Sequence, residues 1–521
     1  MSFYRQLLSV SLLLLVSAVT LCGQTVRINV GSQAEFDQLG ERVNTAIRKK
    51  ARTIDVVFQK GIYYYDEGHI SIEKIGNDDV ALNLIGNGSV LVGKGCKIRT
   101  SRKSGTYTGS HPGLFDPYAA YMYEDGEPVN FSTESKYCSG FVSIVDKETK
   151  LCRVKLPVKV NSTFADGGYI YLTQWFKGSV CPIVKIEKDS VFFTADNLFE
   201  TRLLYNVNWD WTYGLRNPRY RLINCRDAGL VKGGKIKVSS RKDIYRSDAS
   251  VFLNIKGSHL GSLTVKGLTF RGNRFDPTDS AKDNVILLYC SKIGSTEISD
   301  CAFRSVRSLG IRIVYVDNVT VRNCTFSGCY RGCIYSQNGS KNTKVLDNLI
   351  ENSGLAGDNF QAVSCHGEGF LIKGNTFRDY GYGAISSGIH FRTEKENPVT
   401  GTICNNEIYQ TKAYFDRAPM DLLMDSGGIY ITTQNDAVTI RENYIHDING
   451  PKANRGILCD DGTCNVTICN NRIYNIKNLY AIDLRRVKSV EKDAGTKVKK
   501  ANVGNKVFDN ETDGKILFEE R

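Results

Sequence analysis

A phrase that returns seven times between residues 298 and 476 constrains this chain more than any other feature. It consists of an aliphatic residue, two intervening residues, Asn or Cys, one more residue, then Phe or Ile. It reads Ile298-Ser-Asp-Cys301-Ala-Phe303, Val321-Arg-Asn-Cys324-Thr-Phe326, Val345-Leu-Asp-Asn348-Leu-Ile350 and Ile372-Lys-Gly-Asn375-Thr-Phe377. It continues as Ile403-Cys-Asn-Asn406-Glu-Ile408, Ile440-Arg-Glu-Asn443-Tyr-Ile445 and Ile468-Cys-Asn-Asn471-Arg-Ile473. Successive Asn/Cys positions are 23, 24, 27, 31, 37 and 28 residues apart. An inexact period of this size is what a solenoid gives when each coil carries its own loop insertion. Apolar and polar residues alternate at period two, and β-branched residues are frequent, so the phrases are strands. A single coil cannot bury its apolar face, which forces neighbours to stack. The repeated Asn is expected to adopt a left-handed conformation and bond to the Asn of the next coil. Cys301 and Cys324 take that column first, as small buried groups.

The pattern resembles the right-handed parallel β-helix of pectate-lyase-like proteins, most closely over residues 260–490. The resemblance implies an all-β solenoid with a β-rich insertion. Residues 1–23 read as a signal peptide, with Arg5 ahead of the apolar run Leu7–Leu21. Residues 24–100 read as an N-terminal cap and first coils; Phe36, Leu39, Val43 and Ile47 have helical spacing over 34–50. Residues 101–245 lose the period and cluster aromatics: Tyr118, Tyr121, Tyr123, Tyr169, Tyr171, Trp175, Phe176, Trp209, Trp211 and Tyr213. They read as a β-rich insertion on the flank of the solenoid, its aromatics forming either core or a sugar-stacking platform. The main helix is expected over 246–490 and a Lys-rich capping tail over 491–521.

The formal net charge of the 521-residue chain is +13, and only Arg5 among the charged residues lies in the leader, leaving +12. A basic exported protein suits an acidic partner. No nucleic-acid recognition motif is present, so the expected partner is an acidic polysaccharide acted on by a monomer. The leader points to export, periplasmic or extracellular; a lipid anchor through Cys22 is a lesser alternative because Leu21 is bulky. No later stretch reads as a transmembrane segment. The fifteen Cys beyond residue 23 form no paired CxxC sets. Zinc ligation is therefore not expected, and buried free thiols are preferred over a disulfide framework.

In each coil the strand before the phrase starts at a Gly, as in Gly310-Ile-Arg312, Gly428-Ile-Tyr430-Ile-Thr432 and Gly456-Ile-Leu-Cys-Asp460-Asp461. Parity turns Ile429 and Ile457 inward. It turns Arg312, Tyr335, Ser386, Tyr430, Thr432, Leu458, Asp460 and Asp483, with Arg485, outward. His390 and Arg392 share a face. Three segments carry candidate chemistry: Ser364-Cys-His366-Gly-Glu368, Asp425-Ser-Gly-Gly-Ile-Tyr430 and Arg455-Gly-Ile-Leu-Cys-Asp460-Asp461.

Leader, β-helix and basic charge together resemble secreted bacterial polysaccharide lyases. For such enzymes the resemblance implies β-elimination across C4–C5 of a uronic acid, on a glycosaminoglycan such as chondroitin sulfate or a similar polymer. Arg392, Arg455 or Arg485 would neutralise the carboxylate, His390 or His366 would take the proton, and Tyr430 would assist the leaving group, with Glu368 and Asp461 on the substrate. No clustered acidic calcium ligands match those of the calcium-dependent relatives; no cofactor is assigned, and calcium stays open. The segments at Asp425 and Asp460-Asp461 also resemble the paired acidic loops of β-helical fucosidase- and xylanase-type glycoside hydrolases, where two carboxylates suffice. A non-catalytic glycan-binding solenoid is the third reading.

Overall fold

The computed structural model describes residues 25–98, 248–274, 284–354, 361–389, 397–411, 426–448, 454–477, 480–484 and 504–518, plus strand segments and turns between 100 and 247. Each coil runs through three strands, and stacked coils lay them out as three faces. The coil from Leu309 is typical. Leu309–Val314 lies on face one, Val319–Arg322 on face two and Thr325–Ser327 on face three. The next coil repeats the order with Gly332–Ser336, Lys344–Leu346 and Leu349–Ser353. Strands of adjacent coils pair in parallel and in register, Ile311 with Ile334, Val321 with Val345 and Phe326 with Ile350. Face three alone is an 11-stranded sheet. In the later coils, Ser426–Arg441 and Asn454–Cys469 continue around the corner from face one to face two, with register shifts between Thr432 and Val438.

The register fills the interior with like residues. The rings of Phe270, Phe303 and Phe326 stack at centroid spacings of 4.9 and 4.6 Å. Ile350, Phe377, Ile408, Ile445 and Ile473 extend that buried column. At the turn from face two to face three, Asn348, Asn375, Asn406, Asn443 and Asn471 form a single buried ladder. Each Nδ2 donates to the next Asn Oδ1 at 2.9 Å, and that same oxygen accepts the preceding backbone N–H at 3.0–3.1 Å. The ladder ends on Asn510, one coil beyond the last phrase. Cys301 and Cys324 hold the first two places, their thiols donating to the carbonyls of Ser299 at 3.2 Å and Arg322 at 3.3 Å.

One expectation needs correction. The ladder Asn is not the left-handed residue; the residue before it is. Asp300, Asn323, Asp347, Asn405, Glu442 and Asn470 have φ between 52° and 57°. The left-handed residue turns the chain, which leaves the following Asn pointing inward, where it can bond to the coils on both sides.

Asn406→Leu should therefore destabilise. It removes the acceptor of the Asn375 backbone N–H and one bond each from the Asn375 amide, Asn443 Oδ1 and the Ile372 carbonyl, while Asn443 Oδ1 keeps the backbone N–H of residue 406 and the Asn375 amide keeps the carbonyls of Val345 and Lys373. With one buried backbone donor left without its acceptor, the expected loss is about 1–3 kcal/mol. Urea unfolding of this variant measures it; a loss under about 1 kcal/mol would mean that the ladder contributes little.

The helices Gln33–Asp37 and Leu39–Arg48 cover the N-terminal end, capped by Ser32 and burying Phe36, Leu39, Val43 and Ile47. The insertion does not interrupt the stack. Ile70–Glu73 pairs directly with Leu253–Lys256, and Ser89–Gly93 with Thr269–Arg271. Between them the chain leaves through Gly95–Ile98 and returns through Ile244–Ser247, which pair antiparallel. The insertion strands are themselves antiparallel, in contrast to the helix. Tyr118, Tyr121, Trp175, Phe176, Trp209, Trp211 and Tyr213 lie outside the described residues, as do residues 1–23.

The expected capping tail 491–521 instead contributes a further coil at 504–518, whose strands Lys506–Phe508, Glu511–Thr512 and Lys515–Phe518 pair in parallel with the coil before. The described cysteines are free thiols, and all except Cys290 are buried. Among the described residues no helix is long and apolar enough to cross a membrane.

Candidate functional site

Face one carries the candidate chemistry on its outer surface. Strand pairing places Leu287, Arg312, Tyr335, Ser364, Ser386, Tyr430, Leu458 and Asp483 in one row, one residue per coil. Two residues further along the strands, Gly388, Thr432 and Asp460 form a second row. His366 lies at its start, two residues past Ser364, and three strand spacings put it about 14 Å from Asp460.

The rows divide into two regions. Near the middle of the helix the Arg312 guanidinium stands 5.8 Å from the Tyr335 ring centroid, and Lys256 Nζ lies at the same distance from Tyr289. Tyr289 and Tyr315 are 38% and 50% exposed, so this region offers open aromatic surface beside cations. Tyr335 packs against His366 at 5.6 Å, and burial raises its pKa, opposed by the charges of Arg312 and Arg331. The Nδ1–H of His366 donates to the carbonyl of Gly388 at 2.7 Å, which leaves Nε2 as the unprotonated nitrogen. Burial lowers the His366 pKa to about 4. Gly388 is fixed by geometry: its φ is +101°, and a Cβ there would lie 1.9 Å from the carbonyl oxygen of Thr432.

The second region lies on the later coils. Tyr430 Oη donates to Asp460 Oδ2 at 3.3 Å across adjacent strands, and the Tyr430 ring tilts against Tyr382 at 5.9 Å. Asp460 is half-buried, and the strand parity turns it away from the core. Beside it Arg455 Nε donates to Asp483 Oδ2, with side-chain exposures of only 6% and 3%.

Several expectations change here. Arg455, expected on the substrate, is buried in an ion pair, which removes it as an open cation for a uronate carboxylate. Asp483 faces outward by register yet is buried for the same reason. Glu368 sits around the corner, between the end of face one and the face-two strand Phe370–Lys373, and pairs with Lys341 at 2.9 Å. Asp461 continues the strand Asn454–Cys469 where a turn was one reading. His390, Arg392, Asp425 and Arg485 lie outside the described residues. Lys256, Tyr289 and Tyr382 were passed over because they fall one step outside the strand positions compared. Their signal was available: an aromatic or cation at the same parity on successive coils.

Residues 251–416 match the family model described as "Right handed beta helix region". No curated protein sequence matches the chain. A solved structure described as "Glycoside hydrolase" superposes over 94% of this chain and 96% of its own, with 12% identity and a TM-score of 0.56. The complex of XylC with xylose covers 94% and 75% at 12% identity and a TM-score of 0.30. The Gp54 tailspike of Acinetobacter baumannii bacteriophage AP22 covers 87% and 75% at 10% identity and a TM-score of 0.19. The stacked three-face coils, the family-model match over residues 251–416 and the fold likeness to the first of these structures make this chain a right-handed parallel β-helix.

Proposed function

We propose that the chain is a glycoside hydrolase that binds an anionic polysaccharide at the exposed cations and aromatics of face one and cleaves it with Asp460 as one of two catalytic carboxylates. The observation that carries this reading is a carboxylate, Asp460, turned outward on face one with the Tyr430 hydroxyl donating to its Oδ2 at 3.3 Å across adjacent strands. Asp425, just ahead of the neighbouring coil's strand, is the partner carboxylate in this reading, and the separation of the two would decide retention or inversion. The Arg312–Tyr335 and Lys256–Tyr289 pairs suit the negative charge and apolar ring faces of acidic sugars. The net charge of +13 agrees with such a substrate.

Elimination fits less well. Of its candidate cations Arg455 is taken up by Asp483, and of its candidate bases His366, with a pKa of about 4, is weak for proton abstraction; Arg392, Arg485 and His390 lie outside the described residues. A fold fixes no chemistry, yet the solved structure described as a glycoside hydrolase has this fold over nearly its whole length.

The test is incubation with a panel of acidic and neutral polysaccharides, reading both reducing ends and the ultraviolet absorbance of an unsaturated uronate. New reducing ends without absorbance are expected, on acidic glycans first and more weakly as salt rises. Absorbance rising with cleavage would replace hydrolysis by elimination. Binding without cleavage would leave a glycan-binding solenoid.

A further inference from the structure

The corner between face one and face two carries a tyrosine in an unfavourable place. Tyr315 follows the face-one strand Leu309–Val314 and has φ +52°. Strand pairing puts the same corner of the two preceding coils at Gly257 and Cys290, with φ of 57° and 47°. The corner is thus left-handed in three successive coils, a conformation that glycine takes freely and a bulky side chain rarely adopts. A second constraint sits on the next coil. A Cβ on Gly339 would come within 2.4 Å of two carbons of the Tyr315 ring, so the ring rests on bare backbone there. Gly339 is itself left-handed at φ +93°. Its turn is pinned. Asn338 Nδ2 donates to the carbonyls of His366 at 3.0 Å and Asn397 at 2.9 Å, and the Asn397 N–H donates back to Asn338 Oδ1 at 3.1 Å.

A ring held in this way is not core. Tyr315 is 50% exposed, so one side rests on Gly339 while the other meets water. Burial does not offset the strained backbone, and strain of this kind clusters at ligand-binding positions. The surroundings suit a ligand. Tyr289, 38% exposed, pairs with Val314 and is the diagonal neighbour of Tyr315 on the preceding coil. Lys256 Nζ stands 5.8 Å from the Tyr289 ring centroid. Asn397 Nδ2 lies 3.1 Å from the position that a Gly339 Cβ would take, beside the Tyr315 ring. Open rings, an ammonium and a carboxamide match the apolar face, acid group and hydroxyls of an acidic sugar. We infer that Tyr315 is the stacking platform of a non-catalytic subsite for one sugar of an acidic polysaccharide, with Tyr289 and Lys256 beside it and Asn397 at its edge. The inference rests on the reading of face one as a glycan-binding surface and does not need Asp460 to be catalytic. Tyr315 and Asp460 lie on strands five spacings apart, about 24 Å. The subsite therefore anchors the polymer away from the bond that breaks.

Electrophoresis of the purified full chain through gels cast with polygalacturonate, alginate, hyaluronan or chondroitin sulfate tests the inference. At least one polymer should retard the wild type, and less so as salt rises. Tyr315→Ala should weaken that affinity by about 5–10-fold, and Tyr315→Phe, which keeps the flat ring, should preserve it. Tyr315→Gly removes the ring and relieves the left-handed strain, so it should bind as weakly as Tyr315→Ala and melt no lower than the wild type. The reverse, Tyr315→Gly melting lower with affinity unchanged, would make Tyr315 a packing residue and overturn the subsite. So would a wild type that none of the four polymers retards. The two readings fail separately. If Asp460→Asn still cleaves while Tyr315→Ala loses affinity, the subsite stands and the catalytic assignment falls. If Asp460→Asn is inactive while Tyr315→Ala binds like the wild type, the subsite falls and the hydrolase stands.

Discussion

Asp460→Asn should remove nearly all glycan cleavage while leaving the fold and the affinity for substrate intact. Amide replaces carboxylate at almost constant shape, and the hydrogen bond from Tyr430 Oη still finds an acceptor oxygen. The lost property is the ability to carry charge or a proton in the transition state, typically worth about 10²–10⁴-fold. The loss should fall on kcat with little change in KM, the signature of an interaction made only in the transition state. Tyr430→Phe should lose about tenfold, by freeing Asp460 to rotate, and Tyr430→Phe combined with Asp460→Asn should be no worse than Asp460→Asn alone. His366→Ala should keep substantial activity, since a weak, buried base is a poor candidate for the reaction. The opposite ranking, with His366→Ala inactive and Asp460→Asn active, would return the reading to elimination.

The parts of this molecule that repeat were legible in the sequence. The ladder Asn residues and the outward parity of Arg312, Tyr335, Ser386 and Tyr430 follow from a period of two inside a strand and one phrase per coil. The left-handed position was legible too, since Asp, Asn or Gly precedes most ladder residues, but Glu442 breaks the rule and the more obvious Asn drew the assignment. What could not be read was whether an outward position is open. Ser364, Ser386 and Leu458 face outward by register yet are 4%, 3% and 0% exposed. Parity sets a side chain's direction, whereas cover depends on chain that does not repeat. Arg455 shows the same limit. Its charge suggested a groove, but its fate is set by Asp483, 28 residues on and one coil away.

Arg455→Ala should destabilise the C-terminal coils by about 3–5 kcal/mol, because it leaves the Asp483 carboxylate in a buried position without its guanidinium. The direction follows from desolvation. Both side chains have been taken out of water, so the attraction between them only offsets a cost already incurred, and removing one partner exposes that cost in full. Arg455→Met with Asp483→Leu should recover most of the stability, since apolar groups of similar volume carry no such cost. The solenoid also predicts where the damage goes. Each coil touches only its neighbours, so the loss is felt locally and not shared through one core. Amide hydrogen exchange should rise over residues 454–518, where the strands Asn454–Cys469, Tyr480–Leu484 and Lys515–Phe518 depend on one another, while the coils between residues 25 and 93 exchange as before. Uniformly faster exchange along the whole chain would mean that the helix unfolds as one unit. Unchanged exchange near Asp483 would mean that the pair contributes nothing to holding these coils. If hydrolysis at Asp460 needs a fixed surface, the same variant should lose activity in step with this local opening, and the apolar double variant should restore both.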